Sequence, residues 1–304
     1  MSWETALDQK ISDYLPELKW LCDEPLSRHT SFRIGGPAKR MVFPQKAEQI
    51  VILIGFLQEL GVRTVILGNG TNVLFPDEGI DAAVISTGEM GDIRRIGETE
   101  LTADAGVSLT RLAAEAWKLG LTGLEFAHGI PGSLGGGVVM NAGAYDGVLA
   151  DVLTEVTALF PDGVRTLKTE DLHLSYRHSI FTEQPEAVVL RATVRLQAGD
   201  SAAIKAKMDD LMARRKASQP LEYPSAGSTF KRPAGHFAGR LIEDAGLKGV
   251  CVGAAEVSAK HAGFIINTGN ATCTDVLALI EKVQKTVFDA TGIMLEPEVR
   301  IWKS

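Results

Sequence analysis

Apolar positions at Leu7, Ile11, Tyr14 and Leu18 recur at helical spacing among charged neighbours and predict a short docking helix within residues 1–24. After the helix-excluding run Gly35-Gly36-Pro37, a helical period returns from Lys46 to Leu60 and stops at Gly61. The β-branched, apolar stretch Val62–Leu67 then reads as a strand that runs straight into Gly68-Asn69-Gly70-Thr71-Asn72. Strands are also predicted at Ala82–Ser86, Glu100–Ala103, Val152–Phe160, Gly163–Lys168 and Ala187–Leu196, with a Pro-Asp-Gly turn opening the fourth. Helices are predicted at Ser108–Leu119, Ala202–Ala217, around Ala238–Ala245, and over Thr274–Ala290. Strands followed by glycine loops and helices imply an α+β or α/β arrangement and not a helical bundle.

A chain of 304 residues exceeds one ordinary domain, and the change of texture near Gly199-Asp200 predicts a boundary there. Thirty-one basic against thirty-eight acidic side chains leave a net charge of −7, which disfavours nucleic acid or an anionic membrane as the main partner. Cys22, Cys251 and Cys273 are far apart and odd in number, so thiols in a reducing cytoplasm are expected. His29, His128, His178, His236 and His261 have no metal-ligand spacing, and no metal site is expected. No signal-peptide pattern opens the chain and no apolar run approaches a membrane span, so a cytoplasmic location without membrane insertion is expected.

Two glycine-rich stretches carry the candidate binding chemistry. Successive N–H groups in Gly68–Asn72 could form an anion nest, or the loop could be a tight turn between strands. The run Gly129-Ile130-Pro131-Gly132-Ser133-Leu134-Gly135-Gly136-Gly137, continuing through Asn141 and Gly143 to Tyr145, is too dense in glycine for a plain turn. Backbone lying flat against a ligand explains it better. Neither run matches a P-loop or the dinucleotide fingerprint Gly-x-Gly-x-x-Gly with its helix and spaced acid.

Three further residues are candidates for chemistry. Ser228, behind Gly227 and ahead of Lys231 and Arg232, has no arrayed His and acid, and suits proton donation better than acyl attack. Arg177, between Tyr176 and Phe181, is compatible with a carboxylate-binding site and equally with the surface. Alternation in a terminal strand, Leu295–Ile301, puts Glu296, Glu298 and Arg300 on one face, which by itself reads as a solvated polar edge.

Taken together, these segments resemble the UDP-N-acetylenolpyruvoylglucosamine reductase family, flavin enzymes that make UDP-N-acetylmuramate for bacterial peptidoglycan. The matching pieces are Thr30–Gly36, Leu67–Asn72, Gly129–Gly147, Tyr176-Arg177, Ala226–Lys231, Ala262–Phe264 and Leu295–Arg300, in the family's order. The resemblance implies an α+β fold: a two-subdomain FAD-binding domain of the vanillyl-alcohol-oxidase type over residues 1–200, split near 90. A smaller α+β substrate-binding domain over 201–290 and a terminal strand over 291–304 would complete it. Non-covalent FAD would be held by Gly68, Asn69, Gly70, Thr71, Asn72 and Val73, and by Ile130, Pro131, Gly132, Ser133, Gly136, Gly137, Asn141 and Gly143. NADPH would be the hydride donor, Arg177, Ser228 and Glu298 the catalytic residues, and Tyr145, Arg215 and Lys231 the substrate contacts. The spacing of about fifty residues from Arg177 to Ser228 is similar to the family's shorter form. Where some members have an asparagine after the lysine, this chain has Arg232. A flavin oxidase acting on another alcohol and a non-catalytic nucleotide-sugar sensor remain as alternatives from other classes.

Overall fold

The computed structural model describes residues 2–303. Contacts gather the chain into two units that are not consecutive segments. The first comprises the chain up to Leu21, Arg40–Asn69 and Ala82–Arg214; the second comprises Cys22–Lys39, Gly70–Asp81 and everything from Arg215 onward. The linear division expected at residue 200 is therefore displaced, because two upstream pieces belong with the C-terminal third and most of helix Ser201–Ser218 belongs with the first unit.

The first unit contains one whole sheet and the larger part of another. One runs in the order Lys19–Pro25, Pro37–Phe43, Ile80–Ser86, Thr64–Leu67, with the last two strands parallel. Helices Trp3–Tyr14 and Ala47–Glu59 cover it, and Leu7, Ile11, Leu53 and Leu57 pack with Val42, Ala83 and Ile85. Tyr14 departs from its expected buried position: it ends the helix at 68% exposure with its ring 5.6 Å from that of Phe56. The other sheet is antiparallel throughout, in the order Gly163–Lys168, Leu153–Phe160, Val188–Arg195, Glu100–Asp104, Ile93–Arg95. Leu109, Leu112, Ala113 and Ala116 of helix Leu109–Lys118 join its core with Leu134 and Val138.

The second unit has its own antiparallel sheet, in the order Ser225–Ser228, Phe264–Asn267, Ala255–Val257, Cys251–Val252. Helix Cys273–Thr291 buries Val276, Leu279, Ile280, Val283 and Val287 in the core of this unit. Thr272 caps its start by accepting the Asp275 N–H, and the Asp77 carboxylate accepts the Cys273 N–H at 2.7 Å and the Thr274 N–H at 3.1 Å. Burial pushes the Cys273 thiol up to about 11, so this cysteine is a packing residue. Among the described residues no helix is long and apolar enough to cross a membrane and no group of side chains could hold a metal ion.

Glu125 is the one fully buried carboxylate at the start of the second glycine run, and it opens the short helix Glu125–Gly129. Its oxygens accept the Thr122 hydroxyl and the Gly123 N–H, with Lys207 Nζ 3.6 Å away. Burial raises its pKa, but these donors together outweigh burial and hold it below the ordinary range. A depressed folded pKa means stability that is complete above the ordinary carboxylate range and lost as pH falls through the folded value. Glu125→Gln should cost about 1–3 kcal/mol at neutral pH, because a donor amide then faces the donors of Thr122 and Gly123. In urea titrations the gap between variant and parent should close as the solution is acidified below the carboxylate range. A gap independent of pH would mean that the carboxylate charge plays no part.

Candidate active site

In the first unit, the start of the first glycine loop meets the second. Asn69 Nδ2 donates to the Pro131 carbonyl at 2.8 Å. A Cβ on Gly68 would stand 2.1 Å from Ser133 Oγ, so glycine lets this backbone lie directly against the Ser133 side chain. Ser133 is buried and caps helix Leu134–Val139, its hydroxyl accepting the Gly136 N–H at 3.3 Å. The second run is pinned from below, with Leu109 N–H donating to the Gly132 carbonyl at 2.9 Å and Leu134 N–H to Val107 at 2.7 Å.

The glycines of this run have different reasons. A Cβ on Gly137 would meet Leu149 at 2.9 Å, and one on Gly143 the Gly147 carbonyl at 2.7 Å, so chain packing accounts for both. Gly136 is exposed, and only Ser133 Oγ lies near where its Cβ would stand, at 3.4 Å. Pro131 is exposed too. Exposed backbone at Pro131 and Gly136 lies beside Asn69 and Ser133. His128, which the sequence did not mark as a site residue, has a buried Nδ1 with no partner among the described residues.

Beyond the glycines the backbone enters conformations that side chains disfavour. Asn141, Tyr145, Asp146, His173 and Arg177 all have positive φ, at 42°, 51°, 65°, 51° and 55°. Tyr145 and Asp146 form the two-residue turn between Gly143–Ala144 and Gly147–Val148, a geometry that favours Asn and Gly. Tyr176 and Arg177 form another, closed by Ser175 N–H to the His178 carbonyl and His178 N–H to the Ser175 carbonyl, each 3.2 Å. The Arg177 guanidinium lies 4.9 Å from the Tyr176 ring centroid. Beside this turn, His178 Nε2 and His173 Nδ1 both bond Glu183, at 2.8 and 3.2 Å, and hold its carboxyl below the usual range.

In the second unit, Ser228 and Glu298 are brought onto neighbouring backbones. Residues 229–231 run antiparallel to 296–298: Glu298 N–H donates to the Thr229 carbonyl at 2.7 Å, Lys231 N–H donates to Glu296 at 2.8 Å, and Phe230 pairs with Pro297. Ser228 ends the strand Ser225–Ser228, whose register slips by one residue against Phe264–Ile266 at Gly227, φ 76°. Thr229 is buried, its hydroxyl accepting the Ile265 N–H at 3.1 Å, which fixes the strand end beside Ser228. Ser31 Oγ donates to the Ser225 carbonyl at 2.6 Å and so secures its other end.

The expected terminal strand is regular only at Arg300–Ile301, which pair in parallel with Val73 and Leu74. Asn72 Nδ2 donates to the Glu298 carbonyl at 3.2 Å, so Asn72 and Val73 brace the glutamate segment. Gly70 is buried at φ 61°, with the His29 carbonyl 2.1 Å from where a Cβ would stand, and its carbonyl accepts the Ser31 N–H at 3.0 Å. Thr71 is half-buried between Gly70 and Asn72. Lys231 forms an ion pair with Glu296. Arg215, in the last turn of helix Ser201–Ser218, donates to Gln219 Oε1 at 3.2 Å, and Arg232 stacks on Phe237 at 3.8 Å.

Comparison with known proteins matches both halves of the chain. Residues 38–168 match the model of an FAD-binding domain, and residues 219–302 match the C-terminal domain of UDP-N-acetylenolpyruvoylglucosamine reductase. The chain is 48% identical over 296 residues to that reductase from Caldanaerobacter subterraneus subsp. tengcongensis, with 97% of each chain covered. It is 51% identical over 277 residues to the reductase from Clostridium novyi, covering 91% of this chain and 90% of the other. The crystal structure of the reductase from Thermus caldophilus superposes with a TM-score of 0.80 at 34% identity, covering 94% of this chain and 99% of the other.

The approach of Gly68 to Ser133 can be tested by filling it. Gly68→Ala should lower stability by about 1–3 kcal/mol and reduce bound flavin, since Ser133 Oγ must be displaced. Ser133→Gly in the same chain removes the obstructing hydroxyl and should restore part of both, at the cost of a few tenths of a kcal/mol of helix cap. Thermal melting and flavin absorbance of the purified proteins report the result. A fully stable, flavin-replete Gly68→Ala protein would refute the close approach.

Proposed function

This chain belongs to the UDP-N-acetylenolpyruvoylglucosamine reductase family of flavin-dependent oxidoreductases, and on that premise we propose that it reduces UDP-N-acetylglucosamine enolpyruvate to UDP-N-acetylmuramate with NADPH as electron donor. The Gly68–Val73 and Ile130–Gly137 segments would hold FAD without a covalent link, and the bound flavin would supply hydride transfer between the nicotinamide and C3 of the enolpyruvyl group. Hydride arriving at C3 drives electron density into the adjacent carboxylate, which takes on enediolate character. Arg177 meets that developing charge with a planar fork suited to a carboxylate. Glu298 serves as its hydrogen-bonding or acid partner. Ser228 Oγ–H gives its proton to C2, the O–H bond breaking as the C–H bond forms, and solvent restores the hydroxyl.

The adjacency of Ser228 and Glu298, carried by the 2.7 Å bond from Glu298 N–H to Thr229, is the observation that most supports these roles. The serine and the acid, seventy residues apart in sequence, are brought together through the Thr229 carbonyl next to Ser228. Tyr145, Arg215 and Lys231 take the nucleotide-sugar end. The Lys231–Glu296 pair is exposed enough for the lysine to exchange its partner for a phosphate at little cost.

Ser228→Ala separates the two halves of the reaction. Rapid mixing with NADPH should bleach the flavin at near the parent rate, because proton donation to C2 has no part in that step. Reoxidation by the enolpyruvyl substrate should then slow by about 10²–10⁴-fold or more. Equal slowing of both halves would assign Ser228 to loop shape, and reoxidation at parental speed would remove it from the mechanism. Arg177→Lys keeps the charge but loses the fork, and should lower kcat with flavin content unchanged. Parental kcat in that variant would make Arg177 peripheral.

A further inference from the structure

The Tyr176–Arg177 turn joins an exposed tyrosine to a half-buried arginine in a left-handed conformation and closes on two 3.2 Å hydrogen bonds. The backbone on either side of the turn is held by the glycine-rich run. Asn141, only 5% exposed, donates from Nδ2 to the Ser175 carbonyl at 3.1 Å, the same oxygen that accepts the His178 N–H across the turn. Its Oδ1 accepts the Ala150 N–H at 3.1 Å. Two residues earlier in the run, the Val139 carbonyl accepts the hydroxyl of Ser179, which is fully buried, at 2.7 Å. The turn is thus tied on both sides to 139–141, through Ser175 before it and Ser179 after it.

We infer that Asn141 is a positioning residue for Arg177, acting through the Ser175 carbonyl, and is not primarily a flavin contact as its place in the glycine-rich run first implies. Three requirements meet at this position. The backbone is left-handed, at φ 42°, which asparagine, aspartate and glycine tolerate best. One side-chain atom must donate, to Ser175, and another must accept, from Ala150. Aspartate lacks the donor and glycine lacks both, so asparagine alone answers all three. A buried amide with both ends bonded also resists rotation, and the carbonyl it holds sits two residues before Arg177. Misplacing a substrate-holding group by about 1 Å can cost on the order of 10²-fold in rate.

This inference rests on the proposed role of Arg177 toward the substrate carboxylate, and the test keeps the two apart. Asn141→Asp places a carboxylate oxygen against the Ser175 carbonyl and should splay the turn. In the holoenzyme, amide exchange at His178, whose N–H closes the turn, should accelerate at least about tenfold, a shift of roughly 1.4 kcal/mol in opening. Flavin content and bleaching by NADPH should stay near parental values, while reoxidation by the enolpyruvyl substrate falls on the order of 10²-fold. In an Arg177→Lys background the same substitution should add less than about threefold, since both act through one group. Ser179→Ala, which brings no new charge, should give the same pattern more weakly, and it serves if the aspartate variant does not fold. Unchanged exchange at His178, loss of flavin, or full additivity with Arg177→Lys would each overturn the positioning role. A parental rate in Arg177→Lys alone would instead overturn the role of Arg177, with the exchange result still reporting whether Asn141 holds the turn.

Discussion

Backbone held in conformations that side chains resist is the constraint on which the first unit's candidate site depends. Asn141, Tyr145, Asp146, His173 and Arg177 all sit in the left-handed region, within thirty-seven residues of one another in sequence. Strain of this kind costs of order 1–3 kcal/mol per residue where the conformation is sparsely populated, and persists only where surroundings over-determine it. Here the surroundings are the five-stranded antiparallel sheet and its buried core, with Val138, Leu149, Leu172 and Phe181 packed beside the strained turns. Rigid packing next to strained turns is how a scaffold aims polar groups that would otherwise wander.

The second unit solves the same problem by different means. Ser228 stands at the end of a short strand whose register slips at Gly227, and the C-terminal segment lies antiparallel to the residues that follow. Backbone hydrogen bonds from Glu298 and Lys231 and a side-chain bond from Asn72 Nδ2 knit this region, so the placement of Ser228 and Glu298 does not rely on exposed ion pairs. Lys231 forms an exposed ion pair with the neighbouring acid, Glu296. Arg232 is set against Phe237, and the cation–π contact gives it a local packing role.

Glycine is not one signal in this chain. Gly68 is there for the approach of the Ser133 side chain, Gly137 and Gly143 for packing, and Gly227 for its left-handed φ in open space. Gly136 alone of these presents exposed backbone with little around it. Density of glycine in a run points to a binding segment, but which members face a ligand depends on what each missing side chain would have touched.

The long periodic segments were legible in sequence because hydrophobic spacing is a local property: helices at 47–59, 109–118 and 273–291 and strands at 64–67, 153–160 and 188–195 lie where their patterns put them. The family was legible because its short motifs occur in order. Short strands such as Ile93–Arg95 and Cys251–Val252 were not, since two or three residues carry no period and owe their state to the neighbour they pair with. Nor could spacing reveal that 22–39 and 70–81 join the C-terminal third, or that Tyr14 would face solvent. The asparagine at 141 could be read only as part of a glycine-rich run; its bond to Ser175, thirty-four residues away, exists because the tertiary fold lays one loop against another. Sequence settles which residues are available for chemistry, through local pattern and residue type. Tertiary structure decides which of them meet, because hydrogen bonds and close backbone approaches join segments that local pattern cannot connect.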